Sequence, residues 1–403
     1  MREARRVVGG SWAVAAALVL ALALAGSARA ATIGFETPAV VDPTHTFGEP
    51  DVGVDPLGRV FVSGPTGTGT QRSVWFGSVD AGHTFRPISP GPPPSSIQSF
   101  NAPPGGGDTD IAFDRASKQY FSDLYALVCL RSATTSDGGA TASQSVFPAG
   151  CAGLPGADRQ WLAVYDPAPG TPNESAYTGP RPLIYEEYNN VSTGTQWVKS
   201  SAANDTSPGG PGLNYVDAQQ DGPSVGTAPL GADGHPAIDQ VTGKVFQAAG
   251  TKVGTDDYSL LLNIGTPNAA GDLKFLDSGG NPGGLIHIAD HLKGDPDVLF
   301  TAVAMDTGRN LHAVWAVDDP TSDQSAPARR QVYVSAASAA SGWKTWTAPV
   351  QVSDGSPATG DAVNLFPWIQ AGGPGRSDAV FYGSDKLANP SSKSGQAWNV
   401  FMA

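Results

Sequence analysis

Short runs of alternating or continuous apolar residues recur along most of the chain, as in Val60-Phe61-Val62-Ser63 and Val332-Tyr333-Val334-Ser335, and Gly, Pro and Asp clusters break the runs. A period of two puts successive side chains on opposite faces of a pleated strand. Val, Ile, Thr, Tyr, Phe and Trp fill these runs, while a helical period built on Glu, Lys and Leu is scarce after residue 30. The pattern predicts an all-β protein. Asp and Gly mark hairpin turns, as in Asp55-Pro56-Leu57-Gly58 and Asp239-Gln240-Val241-Thr242-Gly243.

A longer unit recurs above this alternation. A polar opening leads into an alternating run, a turn and a second β-rich run. Six openings can be read: Gly48-Glu49-Pro50-Asp51, Gly107-Asp108-Thr109-Asp110, Ala157-Asp158-Arg159-Gln160, Gly234-His235-Pro236, Asp297, and Asn364-Leu365-Phe366-Pro367-Trp368. Successive copies start roughly 60 residues apart, room for one four-stranded antiparallel sheet with its loops. Such a sheet cannot bury both faces alone, and radial stacking of the copies solves the problem. The expected architecture is a single six-bladed β-propeller of four-stranded antiparallel blades over residues 31–403. A two-sheet sandwich would supply similar strands but not the regular recurrence. The last copy ends at Ala397-Trp398-Asn399-Val400-Phe401-Met402-Ala403, a strand where a further turn is due. Either the chain is truncated at its C-terminus, or the segment from Ile33 to Phe35 supplies that blade's outer strand.

Composition agrees with a β-rich, loop-rich fold. Among 403 residues there are 50 Gly and 34 Pro, with 40% hydrophobic and 15% charged residues, too apolar for a disordered chain. Arg2, Arg5 and Arg6 precede an apolar run from Trp12 to Ala25, and Ala28-Arg29-Ala30 follows as a small-x-small cleavage signal. Residues 1–30 read as a secretory signal peptide, so a secreted mature protein with no membrane span is expected. The formal net charge is −13, and loss of the Arg-bearing leader deepens it. An acidic surface argues against nucleic acid and anionic membranes as partners. A monomer is expected. Cys129 and Cys151, the two cysteines of an exported chain, are expected to form a disulfide.

A second motif sits between strands. Ser78-Val79-Asp80-Ala81-Gly82-His83-Thr84-Phe85 has a partial copy in Thr135-Ser136-Asp137-Gly138-Gly139-Ala140-Thr141-Ala142 and a weaker trace in Gly342-Trp343-Lys344-Thr345-Trp346. In such a turn Ser or Thr and Asp cap backbone N–H groups, Gly82 and Gly139 supply positive φ, and Phe85 packs between sheets. Ser-x-Asp-x-Gly-x-Thr-aromatic resembles the Asp-box, or bacterial neuraminidase repeat. With six copies of the larger unit, the chain resembles the sialidase (neuraminidase) superfamily and its exported bacterial sialidase-like members. The resemblance implies a six-bladed propeller and an exo-alpha-sialidase type of glycoside hydrolase acting on exposed glycans. It also implies three Arg for the substrate carboxylate, a Tyr nucleophile helped by Glu, and an Asp acid/base. Of the arginines after residue 30, only Arg159 stands at an inner-strand entrance, and no motif fixes Tyr185, Glu186, Glu187 or Tyr382 in a role. No catalytic role is therefore transferred from the family. The alternative function is a non-catalytic propeller that binds glycan or protein at the channel mouth.

Residues just before each innermost strand should meet at that mouth. Asp108, Asp110 and Asp158 are the candidate proton donors, because neighbouring carboxylates raise one another's pKa, and Arg159 is the candidate anchor. Glu49, Asp51, His235, Asn364 and Trp368 are candidate substrate-binding residues, and Trp161, Trp197 and Trp315 could also stack on sugar rings. No cofactor is required. The acidic ring offers oxygen ligands, which makes a structural calcium a candidate.

Overall fold

The computed structural model describes residues 34–65, 73–88, 106–125, 127, 129–144, 156–192, 194–201, 213, 215–220, 224–225, 228–229, 234–276, 285–296, 300–318, 329–387 and 395–403. Strands dominate them, and the described helical structure is a single 3₁₀ turn, Ala339–Ser341. The proposed signal peptide, Cys151 and Asp297 lie outside the described residues. Of the expected outer strand from Ile33 to Phe35, Ile33 lies outside the described residues, and Gly34 and Phe35 carry no strand.

Residues 40–403 form one compact unit of consecutive antiparallel sheets. The first sheet is β1 (Asp51–Val54), β2 (Val60–Pro65), β3 (Ser73–Ser78) and β4 (Arg86–Pro87); the second is β5 (Gly106–Phe113), β6 (Gln119–Tyr125), β7 (Cys129–Thr135) and β8 (Ser143–Gln144). The third is β9 (Ala157–Tyr165), β10 (Leu183–Asn190), β11 (Gly194–Ser201) and β12 (Val216–Gln220), followed by the small hairpin β13 (Ser224–Val225) and β14 (Ala228–Pro229). In the fourth sheet β15 (Ala237–Ile238) pairs β16 (Val245–Gly254), which pairs β17 (Asp257–Pro267). The outer side of β17 is shared by β18 (Leu273–Phe275) and β19 (Ile286–Leu292). The fifth is β20 (Ala302–Met305), β21 (Asn310–Asp318), β22 (Arg330–Ser338) and β23 (Val350–Gln351). The sixth has three described strands, β24 (Asn364–Ala371), β25 (Ser377–Ser384) and β26 (Trp398–Met402). The sequence repeats open successive sheets, Asp297 of the fifth opening lying outside the described residues, and where four strands were expected the described ones number five in the fourth sheet and three in the sixth.

The hairpin after the first strand repeats its chemistry. Asp55 accepts the N–H groups of Leu57 and Arg59, both at 2.9 Å, and Asp114 does the same for Ala116 and Lys118. Asp306 accepts from Gly308 and Asn310 at 2.8 Å. A carboxylate at the start of a tight turn satisfies N–H groups that the ladder leaves unpaired, which is why Asp recurs there.

The first strands touch in chain order: β1 meets β5, β5 meets β9, β9 meets β15, β15 meets β20, and β20 meets β24. Apolar cores fill the spaces between consecutive sheets. Phe61, Trp75 and Phe121 join the first to the second, Leu162, Ile184 and Tyr120 the second to the third, and Tyr185, Trp197 and Phe275 the third to the fourth. Phe246, Leu311 and Trp315 join the fourth to the fifth, and Val314, Ile369 and Phe381 the fifth to the sixth. Among the described residues no buried apolar cluster joins the sixth sheet to the first. At that boundary Val52 is 64% exposed, Val380 39% and Val400 69%.

Candidate functional site

Three first strands bulge at the same end of the molecule. In β9 the register jumps from Tyr188↔Gln160 to Asn189↔Asp158, which leaves Arg159 as the extra residue, at φ +54°. In β24 it jumps between Leu365 and Trp368, which leaves Phe366, at φ +52°, and Pro367 out of the ladder. Pro has no N–H to give a ladder, so a bulge is where it fits within a strand. β5 jumps between Gly106 and Thr109, around Asp108. A bulge bends its strand and turns side chains away from the regular alternation, here toward one space.

That space is a cavity of about 340 Å³ between the first and sixth sheets. Its lining includes Glu49, Asp51, Asp110, Arg159, Trp161, Phe300, Phe366, Trp368 and Tyr382. Rings run across it in sequence, with centroids 6.1 Å apart from Trp161 to Phe300, 5.5 Å from Phe300 to Phe366 and 6.3 Å from Phe366 to Tyr382. Phe300 and Tyr382 carry no signal in the repeat openings, and Phe300 enters from the connection before β20.

Arg159 organises the polar wall. Its guanidinium lies 2.6 Å from Glu49 Oε2 and 3.6 Å from Asp108 Oδ1, and 4.1 Å from the centroid of Phe300. The Arg159 backbone N–H also donates to Asp108 at 3.2 Å. Burial, with a hydrogen bond to Asp108, raises Glu49 to about 7 despite the nearby guanidinium. Burial and then the Asp108 charge raise Asp158. Asp108 and Asp158 stand beside the cavity rather than in its lining.

Asp51 and Asp110 occupy matching positions in neighbouring sheets. Asp51 accepts the N–H of Ile111 at 2.8 Å, and Asp110 that of Leu162 at 2.6 Å. Burial raises Asp51 to about 6, and burial followed by the Asp51 charge raises Asp110 well above its ordinary value. Behind them Glu186 is fully buried, accepts the Ser122 hydroxyl, faces the Tyr215 hydroxyl and is pushed up to about 7 by burial. A Glu-Glu pair in a strand reads as solvated, so Glu186 carries no sequence signal of its burial, and Tyr215 has no motif.

The remaining candidates separate. Asn364 is fully buried and donates to the Arg330 carbonyl at 2.8 Å, so it does not reach the cavity as a binding group. His235 stands edge-on to Trp368, centroids 5.4 Å apart, and burial lowers it to about 4. Trp197 and Trp315 are core residues, 1% and 0% exposed, whereas Trp161 and Trp368 line the cavity. Tyr185 is buried and donates to the Gly271 carbonyl, away from the lining. Among the described residues no group of three or more His, Cys, Asp or Glu is arranged to hold a metal ion, and no described helix is long and apolar enough to cross a membrane. Cys129 is buried at the start of β7.

The two related turns sit outside the cavity and share one hydrogen-bond pattern. Ser78 Oγ donates to Asp80 and accepts from Gly82 N–H at 2.8 Å, while Asp80 accepts the Thr84 N–H at 2.9 Å and the Thr84 hydroxyl at 2.6 Å. Thr135, Asp137, Gly139 and Thr141 repeat it bond for bond. Gly82 and Gly139 have φ of +90° and +88°, and Phe85 is half-buried. The third trace lacks the Asp, and its Trp343 is buried with Nε1 donating to the Arg309 carbonyl.

Neither a family model nor a curated protein matches the chain. Solved structures do. A leech intramolecular trans-sialidase aligns at TM-score 0.47 and 10% identity, over 92% of this chain and 70% of that one. A protein of unknown function from Dyadobacter fermentans aligns at TM-score 0.44 and 11% identity, over 88% and 93%. The Aleuria aurantia lectin aligns at TM-score 0.37 and 11% identity, over 88% and 94%.

Proposed function

We propose that the six sheets are the blades of a propeller and that the cavity between the first and sixth binds a neutral glycan. The observation that carries the reading is the joint lining of one cavity by Trp161, Phe300, Phe366, Trp368 and Tyr382 with Glu49, Asp51, Asp110 and Arg159. Sugar rings offer C–H faces to aromatic rings and hydroxyls to carboxylates, so a lining of both suits them. Among the described residues the one lining cation, Arg159, already faces Glu49, Asp108 and Phe300, and lining carboxylates outnumber it. That balance favours a neutral sugar over a sialic acid. Export by residues 1–30, a Cys129–Cys151 disulfide and a monomeric state belong to the same proposal, and no metal is assigned.

A glycan array probed with the purified secreted protein tests this. Binding to neutral glycans is expected. Binding confined to sialosides removes the neutral-sugar reading, and no binding removes the glycan reading altogether.

Hydrolysis is the second reading, and one observation favours it. Glu49 lines the cavity with its pKa raised to about 7, the property a general acid needs at neutral pH. Turnover of neutral aryl glycosides that is lost in Glu49→Gln would support an enzyme. Array binding without turnover would leave a lectin-like propeller.

A further inference from the structure

Resting on the neutral-glycan reading of the cavity, we infer that the ligand is an extended oligosaccharide, laid outward along the unsealed boundary between the first and sixth sheets, rather than a single terminal sugar. Two independent observations lead there. The first is the row of rings: Trp161, Phe300, Phe366 and Tyr382 follow one another at centroid steps of 6.1, 5.5 and 6.3 Å, comparable to the length of one hexose unit in a chain. A pocket for one sugar needs one platform. Neighbouring rings cross at 76°, 50° and 86° and Arg159 lies over Phe300, so the row is no single flat platform but a path lined by ring edges and faces over more than the length of one sugar.

The second is the direction the row takes. It starts at Trp161, 5% exposed and close to Arg159, and ends at Tyr382, 42% exposed on β25. Beyond it Val400 of β26 continues the lining to the surface. Every other pair of consecutive sheets is sealed by a buried apolar core, which would close such a path. At this boundary no such core is present among the described residues, so a chain held by Glu49 and Arg159 at the inner end has an exit.

Isothermal titration of the secreted protein with cello-, xylo- and malto-oligosaccharide ladders, from mono- to tetrasaccharide, tests the inference. In the ladder that binds, affinity should rise about tenfold or more between mono- and trisaccharide, roughly 1.4 kcal/mol per tenfold step. Tyr382→Ala, at a position 42% exposed on β25, should remove the gain from the outermost units. Val253→Ser, an exposed residue of β16 outside the lining, should keep the full length dependence. A monosaccharide bound as tightly as a trisaccharide overturns the extended ligand and leaves the glycan site standing. A length dependence that survives Tyr382→Ala overturns the proposed path, and no binding in any ladder overturns the inference together with the reading beneath it.

Discussion

Asp110 of the second sheet accepts the backbone N–H of Leu162 in the third at 2.6 Å, tying two sheets together through one carboxylate. Asp51 makes the equivalent bond to Ile111 one sheet earlier. These aspartates therefore do structural work at the edge of the cavity that they also line. Asp110→Ala should lower stability by about 1–3 kcal/mol by leaving the Leu162 N–H buried without its acceptor. Urea titration would read this, and a change below about 0.5 kcal/mol would show that the bond is dispensable.

Burial of carboxylates also sets a pH dependence. Asp51 and Glu186 have folded pKa values of about 6 and about 7, above their ordinary 3.8 and 4.5. A raised acid favours the folded state while protonated, so its contribution is complete below the ordinary value and is lost as pH climbs through the folded one. Asp137 and Asp306 are shifted the other way, and their contribution is lost as pH falls below about 4. Melting temperature should therefore peak on the acid side of neutrality and decline toward pH 7. Glu186→Gln should flatten the decline, and a curve that rises steadily to pH 8 would contradict the buried-acid network.

The two equivalent turns should respond unequally to the same substitution. A Cβ at Gly139 would lie 2.5 Å from Ile88 Cγ1, at φ +88°, whereas at Gly82 nothing comes closer than 3.8 Å. Gly82→Ala should cost about 1 kcal/mol for the left-handed backbone alone, and Gly139→Ala about 2–4 kcal/mol with the added clash. Equal losses in chemical denaturation would mean that the turn at Gly139 shifts to admit the methyl group.

If the chain hydrolyses glycosides, Glu49 must be protonated in the productive form. Because burial raises it to about 7, turnover should hold on the acid side and fall as pH rises through about 7. Arg159→Ala removes the nearby cation, which would raise the Glu49 pKa further and move that limb to higher pH. A limb that moves to lower pH would exclude Glu49 as the acid.

The boundary between the first and sixth sheets makes a prediction of its own. Val54 on β1 is 62% exposed, so Val54→Thr should change stability by less than about 0.5 kcal/mol. Phe61, one strand away and 1% exposed in the core between the first and second sheets, should cost about 3–5 kcal/mol on truncation to Ala. A large loss at Val54 would show that the first and sixth sheets close on each other in solution.

Alternation along the chain was sufficient to read an all-β protein, because the two-residue period belongs to each strand locally and owes nothing to its neighbours. The repeat openings stand at or before the first strands of the six larger sheets, though not of the small β13–β14 hairpin, and the Asp-marked turns were legible because Asp and Gly satisfy the turn's own backbone. The candidate site was read in part. Glu49, Asp51, Asp110, Arg159 and Trp368 come from repeat openings and Trp161 directly follows one, and all line the cavity. Asn364 occupies the same repeat position and is buried in structure instead, since a sequence shows where a residue stands in a repeat but not which way a bulge turns it. Phe300, Phe366 and Tyr382 became a row of rings, Glu186 became a buried acid, and the boundary between the first and sixth sheets was left with no buried apolar cluster among the described residues, all through contacts between segments far apart in sequence. Burial, bulge direction and the pairing of distant faces are set by long-range packing, and that belongs to the tertiary structure alone.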